Sequence, residues 1–371
     1  FELFLGSKIG RGAPPDIVER EEGLESGQGL EPGAESFAEA GPAETLIPQV
    51  RGKDRSHQKA DETTDLHRSQ AVEAQAQPAK QLYTRAVESV QDWIKGAESR
   101  TLPGVESGWA VAEEIVRATE YDSALLLAAT DRFQEFSVAT HSVNVAILSV
   151  RFTGTMGRAR QFQERVCLAA LLHEIGVARL PRGLMYKKDP LSPEAVHLLR
   201  SRPLLSAEVL QGFGEPSGDL AEIVGQVFER ANGSGSPLGR KGNEIREEAR
   251  ILGIVDALET CIHSRPYRKA FTGYQTLQEF STDPAAPFSD DEVKTLIRSV
   301  SLFPYNELLR LSNGEVARVV DINRENLSRP IVEVVSGKPG AVPVASNLVN
   351  LAESPSLQIS EVISLERLAQ P

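Results

Sequence analysis

The sequence of 371 residues predicts a mainly α-helical protein with a small antiparallel β segment near its C-terminus. From about Lys80 onward, apolar residues recur at intervals of three and four, as on the buried face of a helix. After Tyr305 the pattern changes to short β-type runs, divided by the turn sequence Ser312-Asn313-Gly314. Three segments are therefore predicted: a disordered acidic tail over 1–78, a helical domain over 79–303, and a β-rich extension over 304–371 that packs on the helical domain.

The N-terminal tail is predicted from composition. It is rich in Gly, Pro, Ala and Glu, and Arg20 is the single base between Asp16 and Glu44. Such a segment cannot bury enough apolar surface to offset the entropy lost on ordering, so we expect a disordered, solubilising tail.

The helices are predicted from periodicity and from their end signals. Ser192 is a suitable N-cap for a helix that has Pro193 at its first position. The other predicted helices span Val105–Thr119, Leu204–Gln211 and Leu220–Arg230. A short helix is predicted near Asp122, a long helix from Asn243, and another helix from about Gly273. Strands are predicted over Leu308–Leu311, Val316–Ile322 and Pro330–Val335.

Four ionisable residues fall within apolar helical patterns. His173 continues the stripe of Val166 and Ala169, and Glu174 follows it directly. His141 and Asp256 lie in two other apolar helices. A single buried histidine is more often a hydrogen-bonded core residue than a metal ligand. Four such groups together, however, predict one polar site in the helical core, neutralised by a metal ion or by an arginine.

Composition excludes several classes of protein. The formal net charge of −12 argues against a general nucleic-acid-binding protein, although a local basic rim around an anionic ligand is compatible with it. No apolar run approaches the roughly 18 residues that a membrane helix needs. Cys167 and Cys261 lie in apolar helical patterns, which is typical of reduced core cysteines and predicts a cytoplasmic protein.

An ordered set of motifs extends this interpretation. The sequence contains H-S-V-N-V-A from His141, A-L-L-H-E-I-G from Ala170, E-R-A-N-G-S-G-S-P from Glu229, and S-R-P-Y-R from Ser264. In this order the motifs resemble the HD-GYP family of bacterial cyclic di-GMP phosphodiesterases. The resemblance implies an HD-GYP-like helical bundle and a signalling role. It implies metal ligands at His141, His173, Glu174 and Asp256, and contacts to substrate phosphates from Arg265 and Arg268.

The sequence also departs from the family pattern. The signature His-Asp pair is His173-Glu174, and a metal-ligating histidine expected before a proline is Arg202. Further expected residues are replaced: two consecutive histidines by Val227 and Phe228, the tyrosine of Gly-Tyr-Pro by Ser236, the loop aspartate by Asn232, and a lysine by Val177. These losses remove most of the ligands of one of the two metal ions that the family's chemistry needs.

Three functions remain open on this basis. The chain is a degenerate signalling protein that binds cyclic di-GMP or a protein partner, a phosphohydrolase with a single divalent transition metal such as Fe or Mn, or a structural interaction domain without a cofactor. We also expect the guanidinium group of Arg202 to replace a metal ion by reaching Glu174 or Asp256. The sequence leaves the oligomeric state open.

Overall fold

The computed structural model describes residues 56–101, 104, 106–121, 123–212, 218–283, 285–336 and 348–364. In these ranges eleven α-helices precede one antiparallel sheet of five strands, which confirms the predicted fold class. The helices are α1 (Ser56–Ser99), α2 (Glu106–Tyr121), α3 (Ala124–Ala129), α4 (Val138–Thr155), α5 (Arg160–Leu172), α6 (Pro193–Arg200), α7 (Arg202–Gln211), α8 (Gly218–Gly225), α9 (Glu247–Ile262), α10 (Gly273–Thr282) and α11 (Asp290–Val300). The strands are β1 (Leu308–Leu311), β2 (Val316–Asp321), β3 (Ile331–Ser336), β4 (Leu348–Asn350) and β5 (Ile359–Ile363).

Helix α1 starts earlier in the chain than its apolar periodicity indicates. It begins at Ser56 and not near Lys80, so it includes the end of the segment 1–78 that composition assigns to the tail. Periodicity marks burial, whereas the Ala, Gln and Glu residues before Pro78 favour a helix through intrinsic propensity. The remainder of the predicted tail, 1–55, lies outside the described residues. None of the described helices is both long enough and apolar enough to cross a membrane.

Helix α4 lies at the centre of the helical core. It packs against α5, α9 and α11, and Val143, Ile147 and Phe152 on it are fully buried. Because neighbours surround α4, apolar residues occur around most of its circumference and not on one stripe. Helix α6 confirms the predicted cap, because the Ser192 hydroxyl accepts a hydrogen bond from the amide of Ala195.

Two predicted helices are shorter than expected around the glycine-rich loop. The helix predicted over Leu220–Arg230 ends at Gly225, and the helix predicted from Asn243 begins at Glu247. Between them the side-chain carbonyl of Gln226 accepts a hydrogen bond from the amide of Arg246 at 2.8 Å. The residues after Gly225 therefore form turns that hold the loop against α9.

The five strands have the order β4-β3-β2-β1-β5, and every neighbouring pair is antiparallel. Leu309, Val319 and Val332 form a small core of their own on one face of the sheet. Glu307, just before β1, forms a buried ion pair with Arg132 at 3.1 Å and accepts the amide hydrogen of Tyr274 at 3.1 Å. These bonds fix the start of the sheet against α10.

Candidate metal centre

Three helices bring two histidines and an aspartate together in the core. His141 lies in the first turn of α4, His173 directly follows α5, and Asp256 lies in the middle of α9. Their potential ligand atoms all lie within 4.8 Å of one another. Asp256 Oδ1 is 3.0 Å from His141 Nε2 and 3.6 Å from His173 Nε2. The predicted convergence of these three residues is thus present in the structure.

Hydrogen bonds fix the orientation of both imidazoles. His173 Nδ1 lies 2.6 Å from the carbonyl oxygen of Ala170, so Nδ1 carries the hydrogen and Nε2 carries the lone pair. That Nε2 atom is buried and has no hydrogen-bond partner. On the other imidazole, Nδ1 of His141 lies 2.5 Å from Glu259 Oε2. In both residues the Nε2 atom is therefore turned towards Asp256, as second-sphere contacts arrange histidines in metal sites.

This arrangement fits one divalent cation. An unpartnered buried imidazole nitrogen is costly, and a metal ion held by His141, His173 and Asp256 would satisfy it. Two imidazoles and one carboxylate are ligands that suit iron or manganese. Among the described residues, no other group of three or more His, Cys, Asp or Glu side chains is close enough to hold a metal ion. Of the positions where the family resemblance expects further ligands, Val227 and Phe228 have no donor atom and Arg202 is a cation.

Glu174 lies beside the three-residue cluster and contacts Arg202. Its Oε1 atom is 3.2 Å from Arg202 Nη2 and 4.0 Å from His173 Nε2. Arg202 is the first residue of α7, and its guanidinium carbon lies 5.1 Å from the centre of the Phe228 ring. The arginine is largely buried, with 13% of its side chain exposed. A fixed positive charge therefore lies next to the candidate centre, where the family resemblance expects a histidine.

Arg265 and Arg268 are directed largely into the protein. Arg265 Nη2 donates to Glu259 at 2.7 Å and to the hydroxyl of Thr260 at 3.0 Å, and its guanidinium carbon lies 4.4 Å from the centre of the Phe136 ring. Arg268 donates to the backbone carbonyls of Thr260, Cys261 and Lys269. Both arginines also line the cavity beside the metal centre. The hydrogen bonds of both arginines are thus made with the protein itself. Their contact with phosphates stays a prediction.

Sequence reasoning missed Glu259, which contacts His141 on the side of the imidazole that faces away from Asp256. Its carboxylate contacts His141 and Arg265, and it accepts a hydrogen bond from the side-chain Nδ2 of Asn144 at 3.0 Å. Burial opposes its ionisation, but the charges of His141, Arg265 and His263 hold the pKa of Glu259 well below its usual value. Its position three residues after Asp256 was the available signal, since such residues share one side of a helix.

The centre opens into a cavity of about 1070 Å³. Seven basic residues and three acidic residues line it, although the whole chain is acidic. The basic residues are Lys187, Lys188, Arg200, Arg202, Arg230, Arg265 and Arg268, and the acidic residues are Glu174, Asp189 and Asp256. The cavity is therefore a positively charged region suited to an anion.

The two carboxylates around His141 favour its charged form. Burial lowers the pKa of His141, but the charge of Glu259 and the hydrogen bonds to Glu259 and Asp256 outweigh burial and raise the pKa to about 9. The pKa of Asp256 is lowered, because its contacts with His141 and His173 outweigh its burial. Metal binding requires neutral imidazoles, so a metal ion must displace a proton from this site.

We therefore expect the chelator-treated protein to lose stability in alkaline solution. The stabilisation from His141 is fully present below its ordinary pKa of about 6.5 and is lost as the pH rises through about 9. The loss is on the order of 3 kcal/mol in the free energy of unfolding. Urea unfolding in EDTA between pH 6.5 and 9.5 measures this loss. In Glu259→Gln the slope should be much smaller. An equal slope in the two proteins would contradict the assignment.

The sequence matches two known families. Residues 125–284 match the HD domain family, and residues 308–371 match the KOW domain associated with HD domains. Among curated proteins, the cyclic di-GMP phosphodiesterase PdeB of Borreliella burgdorferi is 27% identical over 195 residues, which cover 53% of this chain and 51% of the relative. A cyclic di-GMP phosphodiesterase of Pseudomonas aeruginosa is 22% identical over 76% of this chain and 69% of the relative. The chain therefore spans about half the length of the first relative.

A solved structure has the same fold. An HDG"Y"P protein from Bdellovibrio bacteriovorus superposes with a TM-score of 0.50 at 20% identity, over 59% of this chain and 70% of that chain. The resemblance drawn from the sequence motifs is thereby confirmed for the fold and the family. Residues 125–284 are therefore assigned as an HD domain, and residues 308–371 as the KOW domain associated with HD domains.

Proposed function

We propose that this chain is a degenerate HD-GYP-type signalling protein that binds a cyclic dinucleotide such as cyclic di-GMP and hydrolyses it very slowly or not at all. The observation that carries this proposal is the contact of 3.2 Å between Arg202 and Glu174. A guanidinium group has no lone pair for a metal and repels a second cation. Arg202 thus supplies one positive charge to the acid without offering a ligand.

Hydrolysis of a phosphodiester by two metals needs ions about 4 Å apart that share a nucleophile. The substitutions at Arg202, Val227 and Phe228 leave ligands for one ion only. When bound, that single ion would supply a Lewis acid for an oxygen of the phosphate. The residues of the chain have a defined part in this arrangement: Glu259 and the Ala170 carbonyl orient the two imidazoles, and Arg202 holds the carboxylate of Glu174 in place.

The shape and charge of the cavity support an anionic ligand. A volume of about 1070 Å³ is at the upper end of ordinary ligand cavities. Leu184 and Leu199 provide apolar surface, and Tyr267 is a half-exposed ring on the wall, as a nucleobase requires. The relatives named as cyclic di-GMP phosphodiesterases make a cyclic dinucleotide the first ligand to test.

A second function is a phosphohydrolase with one metal ion. The specific observation that favours it is the buried, unpartnered Nε2 atom of His173, because a purely structural site would satisfy that atom with a hydrogen bond. In this case the single ion and the basic cavity would act on a phosphate ester that is smaller or more reactive than a cyclic dinucleotide.

The first test separates binding from turnover. We expect full-length protein supplied with Mn²⁺ or Fe²⁺ to bind cyclic di-GMP in calorimetric titrations and to form no linear product in chromatographic assays over hours. Metal-supplied protein of the Pseudomonas aeruginosa relative serves as the positive control for turnover. Rapid hydrolysis would refute the proposal that the protein is degenerate, and absence of binding would refute cyclic di-GMP as its ligand.

The metal content distinguishes the two functions from a structural domain. We expect one transition metal ion per chain by mass spectrometry of the purified protein, and loss of that ion in the double variant His141→Ala, His173→Ala. Release of phosphate from simple phosphate esters by the loaded protein, but not by the variant, would establish the second function. Two ions per chain would contradict the proposed site.

Removing Arg202 tests its replacement of a metal ion. Arg202→Ala leaves the buried carboxylate of Glu174 without its cation, and we expect a loss on the order of 3 kcal/mol in the free energy of unfolding. Arg200→Ala removes an exposed arginine from the preceding helix and should change stability by well under about 1 kcal/mol. Equal unfolding midpoints for both variants in urea would show that the ion pair contributes nothing.

A further inference from the structure

One of the buried arginines forms no ion pair. In the described part of the chain three arginines are at most 9% exposed: Arg132, Arg230 and Arg265. Arg132 is paired with Glu307 at 3.1 Å and Arg265 with Glu259 at 2.7 Å. Arg230 forms no ion pair with any described residue. A buried charge without a counter-charge is costly, so its presence indicates that an anion is supplied from outside the chain.

The surroundings of Arg230 hold one side of its guanidinium group. Nη1 donates to the carbonyl oxygens of Val227 at 2.9 Å and Glu229 at 2.8 Å, and the guanidinium carbon lies 5.2 Å from the centre of the Phe288 ring. Helix α9 leaves room for it at Gly253, where an added Cβ would lie 2.8 Å from Nη1. Burial lowers the pKa of Arg230, and the charges of Asp256, Glu292 and Glu229 offset this effect only in part.

The other side of the guanidinium group has unused donors. Among the described residues, neither Nε nor Nη2 of Arg230 has a hydrogen-bond acceptor. These two atoms form the edge with which arginine binds two phosphate oxygens at once. Arg230 lines the large cavity together with Ser234 and Ser236 of its own loop. The protein therefore fixes the guanidinium group through Nη1 and leaves Nε and Nη2, the two donors that suit a phosphate, without an acceptor.

The approach to Arg230 is also favourable for an anion. Lys187, Lys188 and Arg200 line the same cavity and are exposed. They form no ion pair with any described residue, so their charges remain available to attract a ligand. Basic residues at a cavity wall raise the local concentration of anions and guide them inward.

We propose that Arg230 binds a phosphate group of the ligand through the edge formed by Nε and Nη2. This inference rests on the proposed nucleotide-binding function and deepens it, because it assigns the phosphate contact to a residue other than Arg265 and Arg268. The shared chemistry is a phosphate anion, either within a nucleotide or as free inorganic phosphate.

The test uses inorganic phosphate and cyclic di-GMP as separate probes of the full-length protein. Titration calorimetry is run on the wild type, on Arg230→Met and on the matched control Arg240→Met, which removes a charge from the same loop outside the cavity. Each titration is repeated after EDTA treatment to separate phosphate held by a metal ion. We expect Arg230→Met to weaken phosphate binding at least tenfold with and without EDTA, and Arg240→Met to change it less than twofold.

Arg230→Lys provides a second variant, because Met at a buried position could impair folding. A lysine keeps the charge but loses the two-point edge, so we expect a loss of affinity of at least threefold. Wild-type affinity in either variant, or absence of phosphate binding to the wild type, would overturn the inference. Failure of the wild type to bind cyclic di-GMP while phosphate binding still depends on Arg230 would refute the proposed nucleotide and leave the phosphate site established.

Discussion

The interaction on which this structure depends is the neutralisation of carboxylates that α9 carries into the helical core. Asp256 and Glu259 are both buried, and an unpaired charge at either position would destabilise the fold by several kcal/mol. His141 lies between the two acids and contacts both, while Arg265 holds Glu259 from the opposite side. The geometry of the candidate metal centre is therefore also the arrangement that allows α9 to be buried. Metal binding would exchange a proton on His141 for an ion without rebuilding the site.

The same electrostatic constraint applies to Glu174 beside the candidate metal centre. A buried carboxylate needs a positive charge nearby. Arg202 provides that charge at Glu174, and the aromatic ring of Phe228 packs against the guanidinium group. Arg202 and Phe228 thus act together: the guanidinium group neutralises the acid, and the ring covers the guanidinium group.

Much of this fold was predictable from sequence because burial leaves a periodic pattern. The apolar stripes containing His141 and His173 predicted helices and placed both imidazoles in the core. Sequence reasoning failed where other forces decide. The early start of α1 at Ser56 lies in a segment without apolar periodicity, whose composition favours a helix by intrinsic propensity. The end of α8 at Gly225 depends on turns fixed by a long-range hydrogen bond between Gln226 and Arg246. Glu259 was missed because its role exists only when α4 and α9 meet.

Arg230 illustrates the same limit and what a structure adds to a motif. In the sequence it is one basic residue before a glycine-rich loop, and nothing local distinguishes it from an exposed arginine. The fold buries it against Gly253 and Phe288 and bonds Nη1 to two backbone carbonyls. Nε and Nη2 have no acceptor among the described residues, and Arg230 lines a cavity with more basic than acidic residues. Arg265 shows the opposite case: the motif predicts that it contacts a phosphate, but in the structure it forms an ion pair with Glu259. The proposed phosphate contact therefore follows from the guanidinium edge that the protein leaves without an acceptor, and not from the motif alone.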